Sequence, residues 1–187
     1  MAAAAIGFTL LLPTQSAASG LRQVMSNMRK VNAFSLRANL VSPDGQSRLV
    51  ETNEMDGTSY RLWMGGAETT LSDGKRIAYV NQNGTVKVEP VTGTPITAAE
   101  WLPTVPTLVQ DGAVVSETDR YNGIPCTRYD VALGGDKNQI WSVYADSQGR
   151  VMAVKDVPKE DGSYKVTEFT YQQPGFLKGH MKALDSK

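Results

Sequence analysis

The sequence predicts an α+β fold that is mostly β: a curved antiparallel sheet forming an incomplete barrel, with an N-terminal helix and a short helical lid or plug. Three observations predict it. Leu71–Pro90 reads as strand, Asp73-Gly74 turn, strand, Asn83-Gly84 turn, strand. Asp-Gly and Asn-Gly supply the positive φ angles that tight hairpins need. Phe34 to Leu40 alternates apolar and polar residues strictly, as a half-buried strand does. Leu21, Val24, Met25, Met28 and Val31 recur at helical spacing, with Arg22, Gln23, Asn27, Arg29 and Lys30 on the other side.

Each element follows in order. Ala2–Leu12 is uncharged and apolar, too short for a membrane span, and Pro13 ends it. Thr14–Ser19 is a run of small and polar residues suited to a signal peptidase. Residues 1–19 therefore read as a signal-peptide-like leader, and the mature chain is expected to start near Gly20. Ser19 is the expected N-cap of the helix over Leu21–Val31. A helix of about three turns is marginal alone, so its apolar face must lie on something.

After the Phe34–Leu40 strand, Pro43-Asp44-Gly45 turns the chain and Ser47–Met55 pairs back. Asp56-Gly57 turns again, and Ser59–Met64 places Tyr60, Leu62 and Met64 on one side. Gly65-Gly66 leads to Glu68–Leu71 and the meander. Thr97-Ala98-Ala99-Glu100 is a capping box, and Pro103 and Pro106 prevent a long helix after it. This segment carries Trp101, Leu102, Val105 and Leu108, as a helical plug for the core or a mobile lid. The sheet resumes over Ala113–Glu117, Cys126–Leu133, Gln139–Ala145, Arg150–Val157 and Ser163–Tyr171, with turns at Gly134-Gly135, Ser147-Gln148-Gly149 and Asp161-Gly162. Residues 20–175 form one domain, and 176–187 a polar tail. A sheet this long exposes its inner face unless it curls, so the helical segments fill or cover the concave side.

Nineteen basic and nineteen acidic residues in a chain of 187 give zero formal net charge. No large positive field draws in phosphates, which excludes general nucleic-acid binding. Cys126 is the only cysteine, so no internal disulfide forms. His180 is the only histidine and sits in the polar tail, a poor place for a catalytic base. Cys126 has no basic cluster nearby to activate it. No zinc ligand set and no glycine-rich phosphate loop exist. The sequence offers no catalytic residues, metal or cofactor, and the chain is not expected to be an enzyme.

Leu71-Ser72-Asp73-Gly74-Lys75-Arg76-Ile77-Ala78-Tyr79 is similar to a Ser-Asp-Gly-Lys turn followed by an apolar strand and an aromatic residue in the LolA/LppX superfamily. That superfamily comprises periplasmic lipid and lipoprotein carriers, among them LolA-like outer-membrane lipoprotein-sorting proteins. Tyr60-Arg61-Leu62-Trp63 resembles its aromatic strand just upstream, and Gly123–Tyr129 and Trp141–Val151 resemble later strands. The family's Arg-Pro pair before the aromatic strand is absent, the matching region reading Met55-Asp56-Gly57-Thr58. No lipobox cysteine follows the leader.

The resemblance implies a soluble periplasmic or secreted carrier, expected as a monomer, that holds acyl chains of free lipid or lipoprotein in an apolar concavity without chemistry. It also implies a membrane donor or acceptor protein as a second partner. The expected ligand wall is Phe34, Leu36, Leu40, Tyr60, Leu62 and Met64, covered by Trp101, Leu102 and Leu108. Met25, Met28, Met55, Met64 and Met152 either suit mobile acyl groups or simply fill the core. An envelope-stress or regulatory sensor domain binding lipid or protein is the alternative on the same fold. A hydrolase ranks below both for want of a nucleophile–base pair.

Overall fold

The computed structural model describes residues 16–80, 83–94, 97–102, 114–132 and 140–179. Helix α1 (Ala17–Met28) leads into β1 (Ala33–Val41), β2 (Ser47–Asp56), β3 (Ser59–Met64), β4 (Ala67–Ser72), β5 (Arg76–Val80) and β6 (Val86–Pro90). A single-turn 3-10 helix (Ala98–Trp101) precedes β7 (Val114–Tyr121), β8 (Ile124–Ala132), β9 (Ile140–Ala145), β10 (Val151–Lys155) and β11 (Tyr164–Tyr171). The expected Gly134-Gly135 turn, residues 1–15 of the expected leader, Val105, Leu108 and His180 lie outside the described residues.

All strands join one open, curved antiparallel sheet in the order β6-β5-β4-β3-β2-β1-β11-β10-β9-β8-β7. Two meanders run outward from the middle, and β1 and β11 meet at the seam. The connection from β6 to β7 therefore has to pass from one edge of the sheet to the other. The 3-10 helix lies on this connection, and its Ala98 N–H donates to the Val31 carbonyl at 2.8 Å.

The turns obey local chemistry. The β7–β8 hairpin is closed by Asn122-Gly123, both at positive φ (49° and 80°), the pairing a type I′ turn favours. The helix begins earlier than expected. Ser16, not Ser19, is the N-cap, and its hydroxyl accepts the Ser19 N–H at 3.2 Å. Ala17–Ser19 thus form the first turn, with Ala18 buried.

Ala18, Leu21, Val24 and Met28 form the buried stripe of α1. They join Phe34, Leu36, Met55, Trp141, Val143, Val151 and Val154 in one core cluster. α1 comes close to β8: a Cβ at Gly20 would stand 2.8 Å from the Tyr129 hydroxyl oxygen. The Asn27 amide reaches the β9–β10 turn, donating to the Gln148 and Gly149 carbonyls at 3.3 Å. The opposite face is charged. There Arg128 pairs with Glu117, Asp119 and Asp130, and the Ser142 hydroxyl donates to Asp130 at 2.6 Å.

Past the last strand, where the polar tail was expected to begin, the chain stays docked. Leu177 is fully buried, and the Asp56 carboxylate accepts the Gly175 and Leu177 N–H groups at 2.9 and 3.1 Å.

Candidate ligand-binding site

Directly opposed residues of paired strands point to the same side of a sheet, so the register fixes the membership of the inner face. Phe34 of β1 stands opposite Met55 of β2 and Tyr171 of β11. Leu36 stands opposite Asn53 and Phe169, and the Phe34 and Phe169 rings lie 6.5 Å apart. Across the next ladder Met55 faces Tyr60, Asn53 faces Leu62 and Glu51 faces Met64. Phe34, Leu36, Leu40, Tyr60, Leu62 and Met64 therefore share one face. Leu40 ends that row between Arg48 and Lys165.

Burial along this face is graded. Phe34 and Leu36 are 0% and 2% exposed, beneath the apolar stripe of α1. Tyr60 and Leu62 are half-buried, and Met64 is 55% exposed. An apolar row thus runs from the sealed core out to solvent along β3. Trp101 is half-buried against the core. Leu102 is 5% exposed and belongs to the core itself, more deeply set than a lid residue would be.

The turn that carries both residues is held by Glu100. Its carboxylate accepts the Thr97 N–H at 2.9 Å and the Thr97 hydroxyl at 3.2 Å. Asn53 and Trp141 lie on the same inner face, and sequence reasoning missed both. Their alternation with Met55 and with Val143 was the available signal.

Met28 anchors the helix over this face. Its Sδ accepts from the Val151 N–H at 3.4 Å and lies 3.1 Å from the Tyr171 hydroxyl oxygen. The same hydroxyl donates to the Val151 carbonyl at 2.5 Å. Burial pushes the Tyr171 phenol well above its usual range, so it keeps the proton it donates. Burial also pushes the Cys126 thiol up, away from reactive thiolate. Among the described residues no group of three or more His, Cys, Asp or Glu side chains is placed to hold a metal ion. Among those residues, too, no helix is long and apolar enough to cross a membrane.

No protein-family model matches the chain, and no curated protein matches it. Solved structures similar to it include MucB and an outer membrane lipoprotein-sorting protein domain. The likeness to MucB in complex with MucA(peri) has a TM-score of 0.37 and 14% identity, over 83% of this chain and 54% of MucB. For MucB alone the TM-score is 0.37 and the identity 15%, over 85% and 58% of the two chains. The third is a putative outer membrane lipoprotein-sorting protein domain from Vibrio parahaemolyticus. It gives a TM-score of 0.32 and 12% identity over 90% of this chain and 98% of that domain. The chain spans between half and three-fifths of the MucB chains it matches.

Proposed function

We propose that this chain is an extracytoplasmic carrier that holds lipid acyl chains against the inner face of the sheet and does no chemistry on them. One observation carries the reading: the apolar row that leaves the core at Phe34 and Leu36 and reaches solvent at Met64. Phe34, Leu36, Leu40, Tyr60, Leu62 and Met64 form the proposed wall. Trp101 and Leu102 form the proposed cover, together with Leu108 beyond the described residues.

Burying a methylene is worth about 0.8 kcal/mol, so a chain of ~14 carbons gains roughly 10 kcal/mol at most. Lifting a one-turn helix out of the core opposes that gain. A carrier that must also release its cargo is served by such a balance. The proposed partners are acyl chains of lipid or lipoprotein and a membrane protein that delivers or receives them.

Fluorescence tests the proposal. With Trp63 and Trp141 replaced by Phe, Trp101 is the only indole, and titration with a long-chain fatty acid below its micelle point should perturb it and saturate. Met64→Lys should weaken that binding about tenfold while leaving the melting temperature unchanged, because an exposed residue contributes little to the fold. Absence of any saturable change overturns the carrier reading. Leu102→Lys is unsuited to the purpose, since it places a charge in the core.

The proposed location rests on removal of residues 1–19. Cleavage before Gly20 would trim only the first turn of α1. Terminal sequencing of the protein recovered from its host's cell envelope should read from near Gly20. A retained Met1 in the cytoplasmic fraction would overturn export.

A further inference from the structure

The sheet is open, and among the described residues no strand pairs with the outer side of β6. Backbone bonding alternates along that strand. The Val91 N–H donates to the Lys75 carbonyl at 2.8 Å, so by register Glu89 and Lys87 also turn their backbone groups toward β5. Val86, Val88 and Pro90 turn theirs outward. Such an edge is a template for pairing with another chain, and proline is one of the devices that blunt it. Here Pro90 removes an outward N–H only at the end of the strand, and Val86 and Val88 stay open.

The side chains along this edge are exposed as well. Val86 and Val88 are 43% and 40% exposed, and Val80, opposite Val86, is 44% exposed. Val88 stands opposite Ala78, and Ala78 opposite Leu71. Leu71 in turn opposes Arg61, which alternates with Tyr60 and Leu62 of the inner row. The valines therefore prolong a short buried row on the face away from α1. On the inner face Lys87 pairs with Glu89, which also accepts the Tyr79 hydroxyl at 3.1 Å.

We infer that β6 pairs antiparallel with β6 of a second copy of this chain, with Val88 on the two-fold axis. Charge selects that register. It sets Lys87 of each copy opposite Glu89 of the other. These are the non-hydrogen-bonded positions, where opposed side chains approach most closely. A slip of two residues either way sets Lys87 against Lys87 or Glu89 against Glu89. A slip of one sets outward backbone groups against inward ones and forms no ladder. In the selected register the Val88 residues exchange N–H to C=O bonds, and each Val86 N–H donates to the Pro90 carbonyl of the other copy. Val88 packs beside Val88 and Val86 beside Pro90, which covers the exposed strip. The contact is self-complementary and closes at two copies. The protein is then a dimer rather than the monomer that the family resemblance implies, whether or not the carrier reading holds.

Sedimentation equilibrium at low salt, from micromolar to near-millimolar protein, tests this. The mass should rise from one chain to two and stop there. Lys87→Glu alone and Glu89→Lys alone should each weaken association about tenfold or more, because like charges then oppose one another at both symmetry-related positions. Mixing the two variants should restore it, since the two altered strands are complementary to each other. Lys87 and Glu89 are solvent-facing, so both variants should melt close to the parent protein. A parent protein that remains a single chain throughout, or grows past two, overturns the inference. Association undiminished in both single variants overturns the assignment to β6. Failure of the mixture to associate overturns the register centred on Val88.

Discussion

Replacing Met28 with Asp is expected to be severely destabilising. Met28 is completely buried and lies where α1, β10 and β11 converge. An aspartate there is either a desolvated charge or a neutral acid forced to ionise on unfolding, and both favour the unfolded chain. It would also sit against the Val151 N–H and the Tyr171 hydroxyl without the reach of the thioether. The cost is about 4 kcal/mol or more, the range in which buried unpaired charges fall. A whole domain is stable by only ~5–15 kcal/mol. Urea denaturation followed by circular dichroism measures it. Met28→Leu is the control, expected to lose about 1 kcal/mol because it keeps the volume and gives up only the sulfur contacts. Near-parent stability of the Asp variant would mean that α1 does not seal this face.

The second large effect is expected at Asp56. Its carboxylate takes the Gly175 and Leu177 N–H groups and so holds the segment after β11 against the end of β2. Asp56→Ala removes both bonds and frees Leu177, which is fully buried, to leave its site. Hydrogen bonds to a charged group are worth about 1.5–3 kcal/mol each, so a total loss near 3 kcal/mol is expected. Asp56→Asn retains one acceptor oxygen and should lose about half as much. Hydrogen exchange localises the effect: the Leu177 amide should exchange freely in the Ala variant while β1 and β11 stay protected. Unchanged protection of Leu177 would show that its apolar contacts alone hold the segment.

The parts of this molecule that were legible in the sequence are those governed by local rules. The pleat has a period of two residues, so the alternation Phe34–Leu40 fixes which side chains face inward whatever β1 pairs with. The row Tyr60, Leu62, Met64 follows for the same reason, and so does the shared face of the expected wall. The start of α1 was misjudged because Ser16 and Ser19 are equally good caps, and only packing of Ala18 into the core separates them. Leu102 was read as part of a lid or a core plug because the Thr97–Glu100 capping box sets it on one short turn, and its burial is decided only by the core beneath. The pairing of β1 with β11 left no local trace. It arises where residues far apart in the chain are brought together.

That β1–β11 seam also has a kinetic meaning. Within each meander every strand pairs with its neighbour in sequence, so the ladders can form by short loop closures. All eight residue pairs of the seam, from Phe34↔Tyr171 to Val41↔Tyr164, join opposite ends of the folded chain. Their closure costs the most chain entropy and sets the slow step. A nascent chain can assemble β1 to β6 as it emerges, but Phe34 and Leu36 keep an open flank until β11 arrives. During that interval the apolar row is at its most adhesive, and the chain is most in need of protection from others of its kind.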